Sequence, residues 1–183
     1  QALAFLAWLR AGMASGSIVK QPLLVVAPTG LLHNWKAEHD RHLGSHGLGE
    51  LTEAFGAGLK QLKRHDDEGV PRLDVDRLAA SDWVMTTYET LRDYQTEFGR
   101  VMFATILFDE AQKVKTPTVQ MTDAAKAMKA QFKVAMTGTP IENRLAELWC
   151  ITDLVHDACL GSLKEFRQRY ENGTSEAISS LKV

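Results

Sequence analysis

The sequence predicts an α/β fold built on a parallel sheet with helices on both faces. Short apolar runs alternate with helical patterns along the chain, which is typical of parallel strands joined by right-handed crossovers. Two of these runs end abruptly in polar residues. The length of 183 residues favours one domain, large enough to bury a core without disulfides or metals. We therefore interpret 1–183 as a single domain.

The first predicted element is a helix over the apolar residues 2–9. Apolar side chains cover every side of its two turns, so we expect a helix packed inside the fold. The segment is too short to span a bilayer and lacks the charged start of a signal peptide. We therefore expect no membrane association.

Strand-length apolar runs follow the first helix, and a stretch of looser composition interrupts them. Residues 44–75 are rich in glycine and charge, which predicts a surface excursion with one short helix and no domain boundary. A final helix is predicted after Pro140, with residues 145, 148, 149 and 152 on one buried stripe. The predicted strands are 23–27, 83–86, 104–108 and 132–136, with 51–55 as a further strand.

Composition limits the possible partners. With 21 Lys and Arg against 23 Asp and Glu, the net charge of −2 offers no general attraction to nucleic acid. Any DNA contact must come from a local patch. Cys150 and Cys159 form no Cys-x-x-Cys pair, so the sequence indicates neither a disulfide framework nor a zinc ribbon. We interpret both as reduced thiols in a cytosol-like compartment.

Polar chemistry is concentrated at the ends of two predicted strands. The run 105–108 ends in Asp109 and Glu110, and the run 132–136 ends in Thr137, Gly138 and Thr139. An ordinary acidic turn would explain the first pair. However, α/β domains that hydrolyse nucleotides also place a magnesium-binding aspartate at the carboxyl end of a buried strand. The second polar strand end favours the functional interpretation.

These motifs carry a family resemblance. Residues 136–143 read Met-Thr-Gly-Thr-Pro-Ile-Glu-Asn, where the family has Leu in the first place. Together with 23–35, 109–112 and the rest of 135–170, they resemble the first motor lobe of the Swi/Snf-type DNA-translocating ATPases of the second helicase superfamily. The match weakens over 48–81 and after 170. The resemblance implies a RecA-like lobe of the P-loop NTPase type, with ATP and Mg²⁺ as cofactors and double-stranded DNA as partner.

The resemblance also implies roles for individual residues in hydrolysis. Asp109 would coordinate the Mg²⁺ ion of bound ATP, directly or through water, and Glu110 would polarise the attacking water. Gln112 occupies a place where many relatives have histidine. It would couple the hydrolysis site to Thr137, Gly138 and Thr139, and the hydroxyls of the two threonines would relay the nucleotide state toward DNA.

Two strand-to-helix turns are candidates for DNA contact by the same resemblance. Pro28 and Thr29 open a helix whose free amides could seat a phosphate, although they could also form a simple turn. Thr87 and Tyr88 follow another strand, with Arg92 on the flanking helix. Tyr88 could equally be a core aromatic with a tethered hydroxyl.

Two further groups of side chains have ordinary explanations. Four histidines lie close together but lack an acidic or cysteine partner, so solvated helix histidines explain them better than a metal site. Five lysines follow Gln112, and a solvated face explains them, although a DNA or partner-lobe surface is an alternative. The histidines are 33, 39, 42 and 46, and the lysines are 113, 115, 126, 129 and 133.

The sequence contains no Gly-x-x-x-x-Gly-Lys-Ser/Thr loop. We expect that loop just upstream and the second motor lobe downstream, in a fold incomplete at its N-terminal end. The isolated chain should then be inactive. Two other classes stay open: a non-enzymatic binding module that keeps the fold, and a helicase proper that acts on RNA or DNA. The expected location is the bacterial cytoplasm and nucleoid, or a eukaryotic nucleus.

Overall fold

A computed structural model of the protein describes residues 1–44, 47–114, 116, 120–139 and 145–171. Five parallel strands form one sheet in this part of the chain, and a short antiparallel hairpin stands apart from it. The sheet strands are β1 (Leu23–Val26), β2 (Leu51–Ala54), β5 (Trp83–Thr86), β6 (Met102–Asp109) and β7 (Lys129–Met136), and the hairpin pairs β3 (Lys63–His65) with β4 (Pro71–Leu73). The order across the sheet is β2-β5-β1-β6-β7.

The helices lie before, between and after these strands. They are α1 (Ala2–Ala14), α2 (Thr29–Leu43), α3 (Gly56–Leu62), α4 (Val75–Ala80), α5 (Tyr88–Asp93), α6 (Gln95–Phe98), α7 (Gln120–Ala127), α8 (Leu145–Val155) and α9 (Leu163–Phe166). A 3₁₀ turn at Ala111–Val114 follows β6, and a π-helical turn at Arg167–Glu171 follows α9.

Helices cover both faces of the sheet, which confirms the predicted fold class. One face packs against α1 and α2 through Leu6 and Leu32. The other packs against helices that include α5, α7 and α8, through Leu91, Ala125 and Ile151. The four residues of β1 and the four of β5 are all buried. Continuous burial of this kind explains why these strands read as apolar runs without alternation.

The predicted strands agree with the observed ones within a few residues, and the region 44–75 is more structured than expected. The structure extends β6 and β7 at their amino ends and places 51–54 at a sheet edge as β2. The excursion contains α3, as predicted, but also the β3–β4 hairpin. Lys63, Arg64 and His65 carry no apolar alternation, and their side chains are exposed or only partly buried. A pattern search therefore cannot find it.

The prediction for the first helix is wrong about its surroundings. The helix forms, but Leu6 and Met13 are its only buried residues, and Trp8 is 63% exposed. One side of α1 packs on the sheet, and no described element covers the opposite side. Among the described residues, no helix has the length and hydropathy needed to cross a membrane.

The final long helix is buried more widely than the predicted stripe. Trp149 is buried as expected, whereas Leu145 and Leu148 are only partly buried. Ala146, Cys150 and Leu154 are buried instead. The reason is that α8 packs against the core of the sheet on one side and against α9 on another. Pro140 lies outside the described residues.

Candidate functional site

The strand register places the two polar strand ends side by side. In the pairing of β6 with β7, Asp109 lies level with Met136, so Glu110 and Thr137 follow at the same edge. The pairing of β1 with β6 sets Val26 level with Phe108. The turn into α2 therefore leaves the sheet at this edge too. The carboxyl ends of three adjacent strands meet here, as expected for functional groups of an open parallel sheet.

The carboxylate of Asp109 is held by one donor on each oxygen. Oδ1 accepts the backbone N–H of Glu110 at 3.0 Å, and Oδ2 accepts the indole N–H of Trp35 at 2.8 Å. A carboxylate oxygen has two acceptor sites, so each oxygen keeps one free for a further ligand. The side chain is half-buried and its orientation is fixed.

A chain of hydrogen bonds connects the second carboxylate to the neighbouring strand end. The amide nitrogen of Gln112 donates to Glu110 Oε2 at 2.5 Å, and Gln112 Oε1 accepts the hydroxyl of Thr137 at 2.7 Å. Thr137 Oγ1 in turn accepts the backbone N–H of Thr139 at 3.1 Å. We call Glu110, Gln112, Thr137 and Thr139 the relay. The relay joins Glu110 of the candidate hydrolysis site, through Gln112, to the segment 137–139, which the resemblance had linked to it.

The backbone at Glu110 is strained. Its φ of 52° lies in the left-handed region, which glycine occupies readily and a glutamate does not. Such a conformation costs about 1–3 kcal/mol and persists only where the surroundings enforce it. At Glu110 the fixed Asp109 carboxylate and the Gln112 amide hold the residue on both sides.

Tyr88 and Thr87 build the fold at this edge, which corrects their prediction as side-chain contacts with DNA. Tyr88 is 1% exposed, and its hydroxyl donates to the backbone carbonyl of Asp109 at 2.9 Å. Burial, together with the nearby charges of Asp109 and Glu110, raises the pKa of Tyr88, so the hydroxyl stays a donor. Thr87 is buried and caps α5, because its hydroxyl oxygen accepts the Thr90 N–H at 3.0 Å.

Pro28 and Thr29 stand at the start of α2, where Thr29 and the following Gly30 are exposed. No atom lies within 4 Å of the place where a Cβ on Gly30 would sit, so the surface here is open. Arg92 lies on α5 as predicted, but its guanidinium donates to Asp93 at 2.7 Å. Its charge is therefore partly compensated within the helix.

A cleft of about 570 Å³ opens beside Asp109. Its walls include the start of α1 and the α2 side chains of Asn34, Trp35 and Glu38. The hard oxygens of Asp109 suit Mg²⁺, which proteins usually hold through one or two carboxylates and the phosphates of a ligand. No group of three or more His, Cys, Asp or Glu among the described residues could cage a metal without such a ligand. The donor set therefore fits magnesium carried by a nucleotide.

The histidine cluster has structural partners. His39 is buried, accepts the Leu48 N–H on Nε2 at 3.0 Å and packs on the ring of Trp83. His42 is exposed and pairs with Glu38, and His33 contacts the ring edge of Phe55. His33 and His42 are exposed on α2, as expected of solvated helix histidines, whereas the buried His39 is not. His46 lies outside the described residues.

The lysine run is not one surface. Lys113 and Lys129 are exposed, but Lys126 pairs with Asp153, and Lys133 donates to the backbone oxygen of Lys126 at 2.8 Å. Burial lowers the pKa of Lys133. Neither the solvated face nor a continuous DNA surface describes all of these residues, and Lys115 lies outside the described part of the chain. Cys150 and Cys159 are unpaired thiols, as predicted.

Sequence reasoning missed Trp35 as a site residue. The residue lies on the buried side of α2 with Leu32 and His39, which reads as ordinary core packing. Its hydrogen-bond partner is 74 positions away in the sequence. Helical periodicity can identify the buried side of α2, but it cannot indicate which indole meets a carboxylate.

The fold and this strand-end arrangement define a class: an α/β domain of the RecA-like kind, with acidic and hydroxyl groups at the carboxyl ends of its central strands. The chain belongs to the SNF2-related domain family, which it matches over residues 1–183.

Individual relatives support the same assignment. The Zorya protein ZorD of Escherichia coli O139:H28 is 36% identical over 100% of this chain and 18% of its own length. An uncharacterized ATP-dependent helicase of Mycoplasma pneumoniae is 31% identical over 84% of this chain and 14% of its own length. The Sulfolobus solfataricus SWI2/SNF2 ATPase core in complex with dsDNA superposes with a TM-score of 0.73 at 24% identity, covering 98% of this chain and 41% of that one. The chain thus spans less than a fifth of the length of ZorD and of the Mycoplasma helicase.

Proposed function

We propose that this chain is the first RecA-like lobe of an ATP-dependent double-stranded-DNA translocase. The observation that carries the proposal is the relay beside Asp109, which links the candidate hydrolysis residues to the next strand end. Family membership and the ATP-dependent helicase relative support nucleotide use. The solved Sulfolobus complex with dsDNA suggests which polymer to test.

In this proposal, Asp109 and Glu110 divide the work of hydrolysis. Mg²⁺, when bound with ATP, supplies positive charge to the phosphates. Asp109 orients that ion through a carboxylate whose two oxygens are already fixed. Glu110 orients and polarises the attacking water, and Gln112 holds the Glu110 carboxylate in place at 2.5 Å. Positioning and charge neutralisation of this kind are what phosphoryl transfer requires.

The relay then gives a route from hydrolysis to DNA. A change in the position of Glu110 alters its bond with Gln112, and the Gln112–Thr137 bond transmits this change to the segment after β7. On the DNA side, Pro28 and Thr29 offer an exposed helix start whose amides can meet a phosphate. Backbone contact of this kind tracks a strand without reading its sequence.

We place the phosphate-binding loop upstream of α1, and the direction of the crossovers supports this. The crossover from β1 toward β2 uses the face that carries α2, whereas the one from β6 to β7 uses the opposite face. Because α1 shares the face of α2, a right-handed crossover through α1 into β1 must start on the β7 side. Among the described strands, β7 is the last one on that side, so the strand before α1 would pair with its outer edge. The start of α1 also lines the cleft beside Asp109, where such a loop would end.

Hydrogen exchange tests that placement. The β7 amides that do not pair with β6 should exchange rapidly in the 183-residue chain and slowly in the full-length protein, because an added strand protects them. The amides of β2, at the other edge of the sheet, serve as the control and should change little. Calorimetry with magnesium and ATP should show weak binding to the short chain alone. Equal exchange of β7 in both proteins would contradict the placement.

The function itself is tested by the ATPase activity of the full-length protein. Phosphate release should be stimulated best by duplex DNA, less by single-stranded DNA and least by duplex RNA. The Glu110→Gln protein is the matched negative control for contaminating hydrolysis. A clear preference for RNA would favour the helicase alternative, and absence of hydrolysis with every polymer would favour the non-enzymatic module.

A further inference from the structure

Trp35 links the two halves of the candidate site. Its indole N–H donates to Asp109 Oδ2 at 2.8 Å, and the side chain is 9% exposed. Trp35 belongs to α2, the helix that begins at Thr29 after Pro28. The same rigid element therefore carries an open turn at one end and a donor to the carboxylate further along.

The other buried indoles show that a buried tryptophan of this chain does not require a carboxylate as hydrogen-bond acceptor. Trp149 is equally buried, but its N–H donates to the neutral carbonyl of Gly161 at 3.0 Å. The N–H of Trp83 is buried without any partner among the described residues. Only the Trp35 bond is charge-assisted, and such bonds are about twice as strong as neutral ones.

The bond restricts how the Asp109 carboxylate can rotate. Glu110 N–H holds Oδ1 and Trp35 holds Oδ2, so the carboxylate plane is fixed by donors from two different elements. Without the indole N–H, only the local bond to Glu110 would remain. The carboxylate could then turn, and the free acceptor sites on both oxygens would no longer point in one direction.

We infer that Trp35 is a positioning residue that sets the orientation of Asp109 for a magnesium-bound nucleotide and couples that orientation to the position of α2. The inference rests on the proposed function, because it takes the magnesium role of Asp109 from it. Movement of α2 when its exposed start meets DNA shifts the indole, and the indole shifts the carboxylate. DNA binding thereby adjusts the metal site through one hydrogen bond.

The test compares Trp35→Phe with Trp149→Phe in the full-length protein. Both changes remove an indole N–H from an equally buried site, but only the first removes a donor to Asp109. Calorimetry measures the binding of a non-hydrolysable ATP analogue at a series of Mg²⁺ concentrations. The Mg²⁺ concentration for half-maximal binding should rise roughly tenfold for Trp35→Phe, the scale of losing a hydrogen bond to a charged group. Trp149→Phe should match the wild type.

DNA stimulation gives the second readout. The ratio of DNA-stimulated to basal phosphate release should fall several-fold for Trp35→Phe and stay unchanged for Trp149→Phe. If Trp35→Phe fails to fold, benzothienylalanine at position 35 replaces the N–H by sulfur and keeps the ring shape. Wild-type values for a folded variant at position 35 would overturn this inference and leave the proposed function intact. A wild-type protein that neither binds magnesium–nucleotide nor responds to DNA would overturn both.

Discussion

Two aspartates at opposite ends of the sheet show how differently the fold treats a charge. Asp82 precedes β5 at the amino end, where it pairs with Arg10 at 2.6 Å and Lys20 at 3.4 Å and accepts the Glu50 N–H at 2.9 Å. Asp109 ends β6 at the carboxyl end and has two N–H donors but no ion pair among the described residues. Glu110 beside it accepts the Gln112 amide but also has no ion pair among the described residues. The amino end neutralises its charge internally, whereas no described residue supplies a cation to the carboxylates at the carboxyl end.

The largest expected effect is at Glu110. In the full-length protein, Glu110→Gln should lower DNA-stimulated phosphate release about 100-fold or more, the scale of losing a water-positioning group. ATP binding should remain, because the amide keeps the size and the bond to Gln112. Asp109→Asn should instead weaken magnesium-dependent binding. Rate assays and calorimetry separate the two, and an unchanged rate for Glu110→Gln would remove its catalytic assignment.

A smaller effect is expected at the exposed start of α2, the proposed DNA contact at the carboxyl end of the sheet. Thr29→Asp should weaken duplex binding about tenfold through repulsion of a phosphate, while an acid in the first turn suits α2. Thr96→Asp, at an exposed position of α6, makes the same change away from this edge and should bind normally. Tyr88→Phe should also bind normally, because the ring is buried. Duplex binding is measured at a series of salt concentrations. For the 183-residue chain, the logarithm of the binding constant should fall with the logarithm of the salt concentration with a slope of roughly −2 to −3. Equal loss for both acid variants would contradict the assignment.

The relay should show coupling in a double-mutant cycle. Thr137→Val should lower DNA-stimulated turnover about fivefold, the scale of one neutral hydrogen bond. Gln112→Met should lower it more, about tenfold, because it also removes the donor to the Glu110 carboxylate. The double variant should be no worse than Gln112→Met alone. Thr105→Val is the matched control, since its hydroxyl joins the same two strands by donating to the Phe132 carbonyl at 3.0 Å, away from the site. Strict additivity between positions 112 and 137 would mean that the observed bonds carry no signal.

The smallest effect concerns stability and tests the two aspartates directly. Asp82→Asn should destabilise the 183-residue chain by about 1–2 kcal/mol at pH 7, because it removes a charge with compensating partners. Asp109→Asn should cost less, because no cation among the described residues loses its partner. Urea denaturation measures both. A larger loss for Asp109→Asn would reverse the comparison.

The same pair predicts a pH dependence. Burial opposes the ionisation of Asp82, but the Glu50 N–H, Arg10 and Lys20 outweigh it and hold the pKa of Asp82 below its usual value. A depressed folded pKa adds stability that is complete above the unfolded value of about 3.9 and is lost as pH falls through the folded value. The difference between wild type and Asp82→Asn should therefore shrink in acid, and a constant difference down to about pH 2 would contradict this.

The sequence predicted the parts of the molecule that depend on local pattern. The strands β1, β5 and β6 are apolar over most of their length because they are buried on both faces, so their positions could be read directly. The adjacency of Gln112 and Thr137 came from a family resemblance, and only the strand register explains it physically.

Features that depend on distant partners escaped prediction. The exposure of Trp8 and the Trp35–Asp109 bond are set by elements far away in the chain, and so is the choice between the two interpretations of Tyr88. Residue type and periodicity describe a side chain and its immediate neighbours. They contain no information on which distant surface arrives to cover it, so a tyrosine after a strand reads the same whether it faces DNA or the core.

The left-handed backbone of Glu110 has an evolutionary consequence. A glycine at this position would relieve strain and strengthen the fold while abolishing the carboxylate. In a gene copy no longer selected for hydrolysis, replacement of Glu110 by glycine would therefore stabilise the folded protein. The return would require a destabilising step, so a lineage that gives up this glutamate is held in its inactive form by the fold itself.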